Sequence, residues 1–123
     1  MADFMYYNRN DSGEEEPDCV ARAISLGTGL KYDVAWNMLE LVSDKCLCDG
    51  LNVNCYSFLL EKVFNYPVHF CDDGETVEDI LNMYPNNIVI IRIDGHLTCG
   101  FYGILSDIWD CLDCVVDRYW ISY

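Results

Sequence analysis

Apolar residues change their spacing at Pro67. Before it they recur every three or four positions, the period of a helix with one buried face; after it they come in short β-branched runs separated by turn dipeptides. A chain with helices in one half and hairpin-linked strands in the other is held to the α+β class, with N-terminal helices packed on a C-terminal antiparallel β-sheet. The 123 residues are 52 % hydrophobic, enough for one core, and the reading is a single domain over 1–123. It divides into an acidic N-terminal segment 1–17, a helical part 18–65 and a mainly β part 66–123.

In the helical part, Pro17-Asp18-Cys19 opens a first helix with Asp18 as its cap. Val20, Ala21, Ala23, Ile24 and Leu26 give it an apolar stripe, and Gly27 and Gly29 end it. Asp33 caps a second helix, running through Trp36, Leu39 and Leu41 to about Lys45. After a Cys46–Asn54 loop containing Asp49-Gly50, a third helix over Cys55–Phe64 is capped by Asn54 and turns Phe58, Leu59 and Val63 inward. In the β part, Val68–Phe70 is a short strand, and Thr76 with Asp79 starts a short helix to Met83 in the manner of a capping box. Strands then follow at 88–93, 96–102, 105–109 and 115–122, with Asp94-Gly95 and Gly103 at the turns.

Seven Lys and Arg against 21 Asp and Glu leave a net charge of −14. Phosphate-backbone binding needs a basic surface, so direct nucleic-acid binding is excluded as the expected function; docking on anionic lipid is disfavoured for the same reason. No apolar run reaches the roughly 18 residues of a membrane span, and residues 1–16 lack the order of a secretory leader. The expected compartment is therefore the cytoplasm. There, the eight cysteines are read as reduced thiols. The acidic runs Glu14–Glu16, Asp72-Asp73-Gly74-Glu75 and Glu78-Asp79 are read first as solvated surface, and second as a face for basic peptides or proteins.

Three residues carry a possible chemistry. Cys19 stands at a helix start, His96 at a strand start and Asp107 on the next strand. A helix N-terminus and a nearby imidazolium both favour the reactive thiolate, and a carboxylate can hold the imidazole in its working tautomer. Consecutive strands turning at Gly103 can face His96 and Asp107 toward each other. Asp110 competes with Asp107 for that place. His69 is the rival histidine, but no carboxylate follows it in register.

The segments "PDCVARAIS", "GHLT" and "DIWD" resemble the papain-like cysteine peptidase fold. More closely, "YYNRN…DCVARAISLGTGLKYDVAW" is similar to small phage and prophage proteins of that fold, over most of the chain except about 45–85. The resemblance implies a thiol hydrolase or peptidase, in a bacterial host cell if phage-encoded. Cys19 would be its nucleophile, His96 its base and Asp107 its orienter, shielded by Trp109. The family places a glutamine six residues before the nucleophile as oxyanion donor. This chain has Gly13 there, and Asn10 or Asn8 is the substitute. Asp18 and Glu14–Glu16 beside Cys19 would push its thiol pKa up.

The bond attacked would be an amide, an isopeptide or a thioester in a protein or peptide substrate, basic ones included. No cofactor and no metal is expected. Cys111-Leu112-Asp113-Cys114 is one C-x-x-C, and Cys46, Cys48 and Cys55 do not supply the second knuckle of a structural zinc site. The alternative function is a non-catalytic, phage-encoded acidic protein that uses the same scaffold to inhibit a basic nucleic-acid-binding or defence protein of the host.

Overall fold

The computed structural model describes residues 2–10, 12, 18–46 and 52–123. Asp11, Gly13, the Glu14–Glu16 run, Cys48 and Asp49-Gly50 lie outside the described residues, as does the side chain of Cys46. Among the described residues no helix is long and apolar enough to cross a membrane.

Among the described residues, four helices, α1 (Cys19–Thr28), α2 (Tyr32–Cys46), α3 (Val53–Phe58) and α4 (Val77–Met83), accompany six strands. These are β1 (Asp3–Tyr6), β2 (Val68–Phe70), β3 (Ile88–Ile93), β4 (His96–Phe101), β5 (Ile104–Asp107) and β6 (Val116–Ile121). They form one open sheet in the order β1-β5-β4-β3-β6-β2. The fold is α+β, but the sheet is mixed rather than wholly antiparallel. The difference comes from β1, which pairs parallel to β5 from Asp3↔Ile104 to Tyr6↔Asp107. Four residues with little alternation carry too weak a pattern to announce a pairing about a hundred positions away.

β3 is central, and its β-branched run is buried on both faces. One face, through Ile88, Ile90, Leu97, Cys99 and Trp120, packs against α1, α2 and α3. The other, through Val89, Ile91, Ile93, Leu105 and Tyr119, packs against α4. Each fully buried Ile or Leu side chain contributes about 1.5–3 kcal/mol. Trp120 is wholly buried, and its indole N–H donates to Glu61 Oε2 at 2.9 Å, so no polar group is stranded with it.

Local signals account for most boundaries. Gly29 takes the left-handed φ of 78° that closes α1. Gly27 lies inside that helix instead of ending it; a Cβ there would come within 2.4 Å of Ile90, so its lack of a side chain lets α1 sit close on the sheet. Thr76 and Asp79 form the expected capping box of α4. Asp33 falls in the first turn of α2 rather than at its cap, and Leu41 is exposed. The cap of α3 is Asn52, whose side chain accepts from the Asn54 N–H, so that helix starts earlier than expected. It continues into a π-helical turn, Leu59–Val63, that buries Leu59 and Leu60 and leaves Val63 exposed. The wider turn rotates the apolar stripe, which a 3.6-residue period cannot anticipate. Cys19, Cys55, Cys71, Cys99, Cys111 and Cys114 are free thiols.

Candidate active site

Cys19 is the first residue of α1, which lies along β4. Asp18 occupies the cap position without capping: its φ is −121°, and its side chain makes no bond to the helix N–H groups. The carboxylate is held elsewhere, accepting from Arg22 Nε at 2.6 Å and from the Tyr32 hydroxyl at 2.5 Å. Both carboxylate oxygens of Asp18 are thus occupied within the buried layer, and the positive end of α1 is left beside the thiol.

His96 follows the Asp94-Gly95 turn, where Gly95 has a φ of 72°, and pairs with Ile93. The hairpin from β4 to β5 turns through Tyr102 and Gly103, with φ of 52° and 80°. Its register, Gly100↔Leu105, sets Thr98 opposite Asp107 and His96 two residues further along the same face. Asp107 therefore receives four donors. Oδ2 accepts from His96 Nε2 at 2.7 Å and Thr98 Oγ1 at 2.6 Å; Oδ1 accepts from Arg22 Nη1 at 2.5 Å and the Ile108 N–H at 2.7 Å. With Nε2 committed to Asp107, Nδ1 is the ring nitrogen left to serve the neighbouring Cys19, which also lines the pocket. Trp109 packs edge-on against the imidazole, with centroids 4.9 Å apart. Asp110 is exposed and accepts from the Leu112 N–H, so of the two acids it is Asp107 that meets His96. His69 lies on the edge strand β2, stacked on Tyr119.

The electrostatics follow from these contacts. Burial by itself would raise the Cys19 thiol. The hydrogen bonds to His96 and the Leu97 backbone, with the charges of His96 and Arg22, outweigh burial and hold the thiol below its ordinary range. Burial opposes the imidazolium of His96, yet its bonds to Asp107 and Cys19 raise it to about 9. Asp107 is buried, which disfavours its charge, but the His96 and Thr98 bonds keep its carboxyl low. The expectation that Asp18 would lift the thiol is corrected here: the net shift is downward, and Arg22 ties the Asp18 carboxylate to Asp107.

Cys19 and His96 open on a pocket of about 520 Å³ walled by Val20, Arg22, Val53, Tyr56, Arg92, Gly95, Ile108 and Trp109. Asn10 is buried, and its Oδ1 accepts from the N–H and hydroxyl of Ser12. Asn8 accepts from the Asn10 N–H through its own Oδ1. These bonds tie Asn8 to Asn10 and Asn10 to Ser12, and do not by themselves aim either carboxamide at the thiol.

Arg22, Thr98, Tyr56 and Arg92 are site residues that the sequence reading missed. Only Arg22 had a visible signal, its i,i+4 spacing from Asp18. His96, Asp107 and Cys111 bring one ligand atom each to within 4.8 Å of one another. A metal fits them poorly. Burial first, then the charge of Asp107, pushes the Cys111 thiol up to about 12, and both Asp107 oxygens already hold two donors each. Comparison with protein-family models, with curated proteins and with solved structures yields no match in any of the three.

Proposed function

We propose that this chain is a small papain-like thiol hydrolase acting on an amide, isopeptide or thioester bond of a protein or peptide. The observation that carries the reading is that Cys19 and His96 line the same pocket while His96 Nε2 is bonded to Asp107 at 2.7 Å. The lowered thiol and raised imidazole favour a thiolate–imidazolium pair before substrate arrives.

In the first step the Cys19 sulfur bonds to the acyl carbon, and the carbonyl electrons move onto oxygen. The oxyanion is met by the Cys19 N–H at the positive end of α1, with Asn10 or Asn8 as the second donor. Collapse breaks the acyl bond as His96 gives its Nδ1 proton to the leaving amine or thiolate. In the second step neutral His96 takes a proton from water, the hydroxide adds to the thioester, and the thiolate leaves with the acid released. Asp107 holds the ring in its working tautomer throughout, and Arg22 keeps Asp107 ionised and fixed.

A panel of fluorogenic peptide, isopeptide and thioester substrates tests this. Cys19→Ala should abolish hydrolysis, His96→Ala should nearly do so, and Asp107→Ala should leave a measurable remainder. An active Cys19→Ala protein would end the reading. If no substrate is cleaved and a basic partner binds through Asp72, Asp73 and Glu75, the phage-encoded acidic inhibitor becomes the better account.

A further inference from the structure

Only seven side chains of this protein are Lys or Arg. Two of them, Arg92 on β3 and Arg118 on β6, stand directly opposite each other in the sheet. Like charges in direct cross-strand register are unfavourable, and a local rule broken in this way needs a compensating use. One carboxylate serves both: Asp117 Oδ2 lies 2.9 Å from Arg92 Nη1 and 2.6 Å from Arg118 Nε. Among the described residues these two cations share one anion, which leaves the cluster one positive charge in excess.

That excess faces the pocket. Arg118 is drawn the other way, its guanidinium 4.9 Å from the centre of the Phe70 ring. Arg92 lines the pocket wall and donates its Nε proton to the Tyr56 hydroxyl at 3.1 Å. Tyr56 is itself buried and lines the same wall, and accepting from a guanidinium polarises its own O–H as a donor. Arg22, the other arginine on the wall, is different: two buried carboxylates already neutralise it.

We propose that Arg92 and Tyr56 form a subsite that binds a carboxylate of the ligand, at the same pocket that Cys19 and His96 open into. The carboxylate is either the acidic side chain of a peptide or its free C-terminus. The inference deepens the hydrolase reading and rests on it only in calling that ligand a substrate. It points to an acidic ligand where net charge had left a basic one open. The distant acidic surface is screened beyond about 8 Å at physiological salt, so the contacting charges decide.

The test uses the full chain carrying Cys19→Ala, so that binding is read without turnover. Three short N-acetylated peptides are titrated by NMR: one with an internal Glu and an amidated C-terminus, the same with Gln for Glu, and the Gln peptide with a free C-terminal carboxylate. At least one carboxylate peptide should bind about tenfold more tightly than the neutral one, and which one does so identifies the source. Arg92→Gln should remove the preference; Asp117 keeps its Arg118 partner in that variant. In the protein without this second change, raising NaCl from roughly 0.05 to 0.5 M should shrink the preference. Equal affinities, absence of saturable binding, or a preference that survives both Arg92→Gln and salt would overturn the subsite. A carboxylate preference in a protein whose unsubstituted form cleaves nothing would instead overturn only the hydrolase reading.

Discussion

Replacing Asp107 with asparagine keeps the size of the side chain and removes its charge, and the hydrogen bonds around it determine what must follow. An amide offers one acceptor and one donor where the carboxylate offered two acceptors. Turning its NH2 toward Arg22 would set donor against cation, so the oxygen stays with Arg22 and the Ile108 N–H. The NH2 then faces Thr98 and His96. The Thr98 hydroxyl can rotate and accept. His96 Nε2 must also accept, which moves the ring proton to Nδ1, the side that has to take the thiol proton.

The imidazolium is raised from its ordinary 6.5 to about 9 against the cost of burial, by the bonds and charges of Asp107 and Cys19 together. Loss of the Asp107 share should lower the His96 titration by about one pH unit or more, and raise the thiol by a similar step through their coupling. At pH well below both midpoints each unit cuts the thiolate fraction about tenfold while raising its nucleophilicity about threefold, so alkylation there slows about threefold per unit. Iodoacetamide labelling of Cys19, followed by peptide mass spectrometry across pH 5–10, reads this directly. The midpoint should move up in Asp107→Asn. An unchanged profile would show that Asp107 does not act through His96.

Other consequences follow from the packing. Arg22→Met leaves Asp18 and Asp107 buried without their shared cation, and should cost about 3–5 kcal/mol in urea denaturation; a cost under about 1 kcal/mol would mean that the bridge is not structural. Gly27→Ala gains about 1 kcal/mol of helix propensity. Its Cβ, however, meets Ile90 at 2.4 Å, and overpacking of about 1–3 kcal/mol should win. A lower melting temperature with slower Cys19 labelling is expected, and a more stable variant would refute the close approach of α1 to the sheet.

What could be read from the sequence was local. The run 88–93, the Asp94-Gly95 turn and the Thr76–Asp79 box each act within a few residues, and the structure places β3, the hairpin and α4 on them. The pairing of His96 with Asp107 was within reach because one hairpin register sets it. Contacts between distant segments gave no such signal. Parallel β1 depends on an edge that only the folded sheet provides, and Arg22 is spaced for Asp18 but gives no sign of Asp107. Arg92 reads as the one polar break in an apolar strand; its meaning comes from the register that sets Arg118 opposite it. Asp18 misled for the same reason, since its charge was counted without Tyr32 and Arg22.

The central claim is that His96 makes Cys19 a nucleophile, and the ionisation of that one thiol tests it most directly. With cysteine labelled at 13Cβ, the Cys19 resonance, assigned by its loss in Cys19→Ala, can be followed against pH. In the unsubstituted protein it should titrate below the ordinary 9.0 of a free thiol, and His96→Ala should return it upward. A Cys19 that titrates at or above 9.0, unmoved by His96→Ala, would contradict the account.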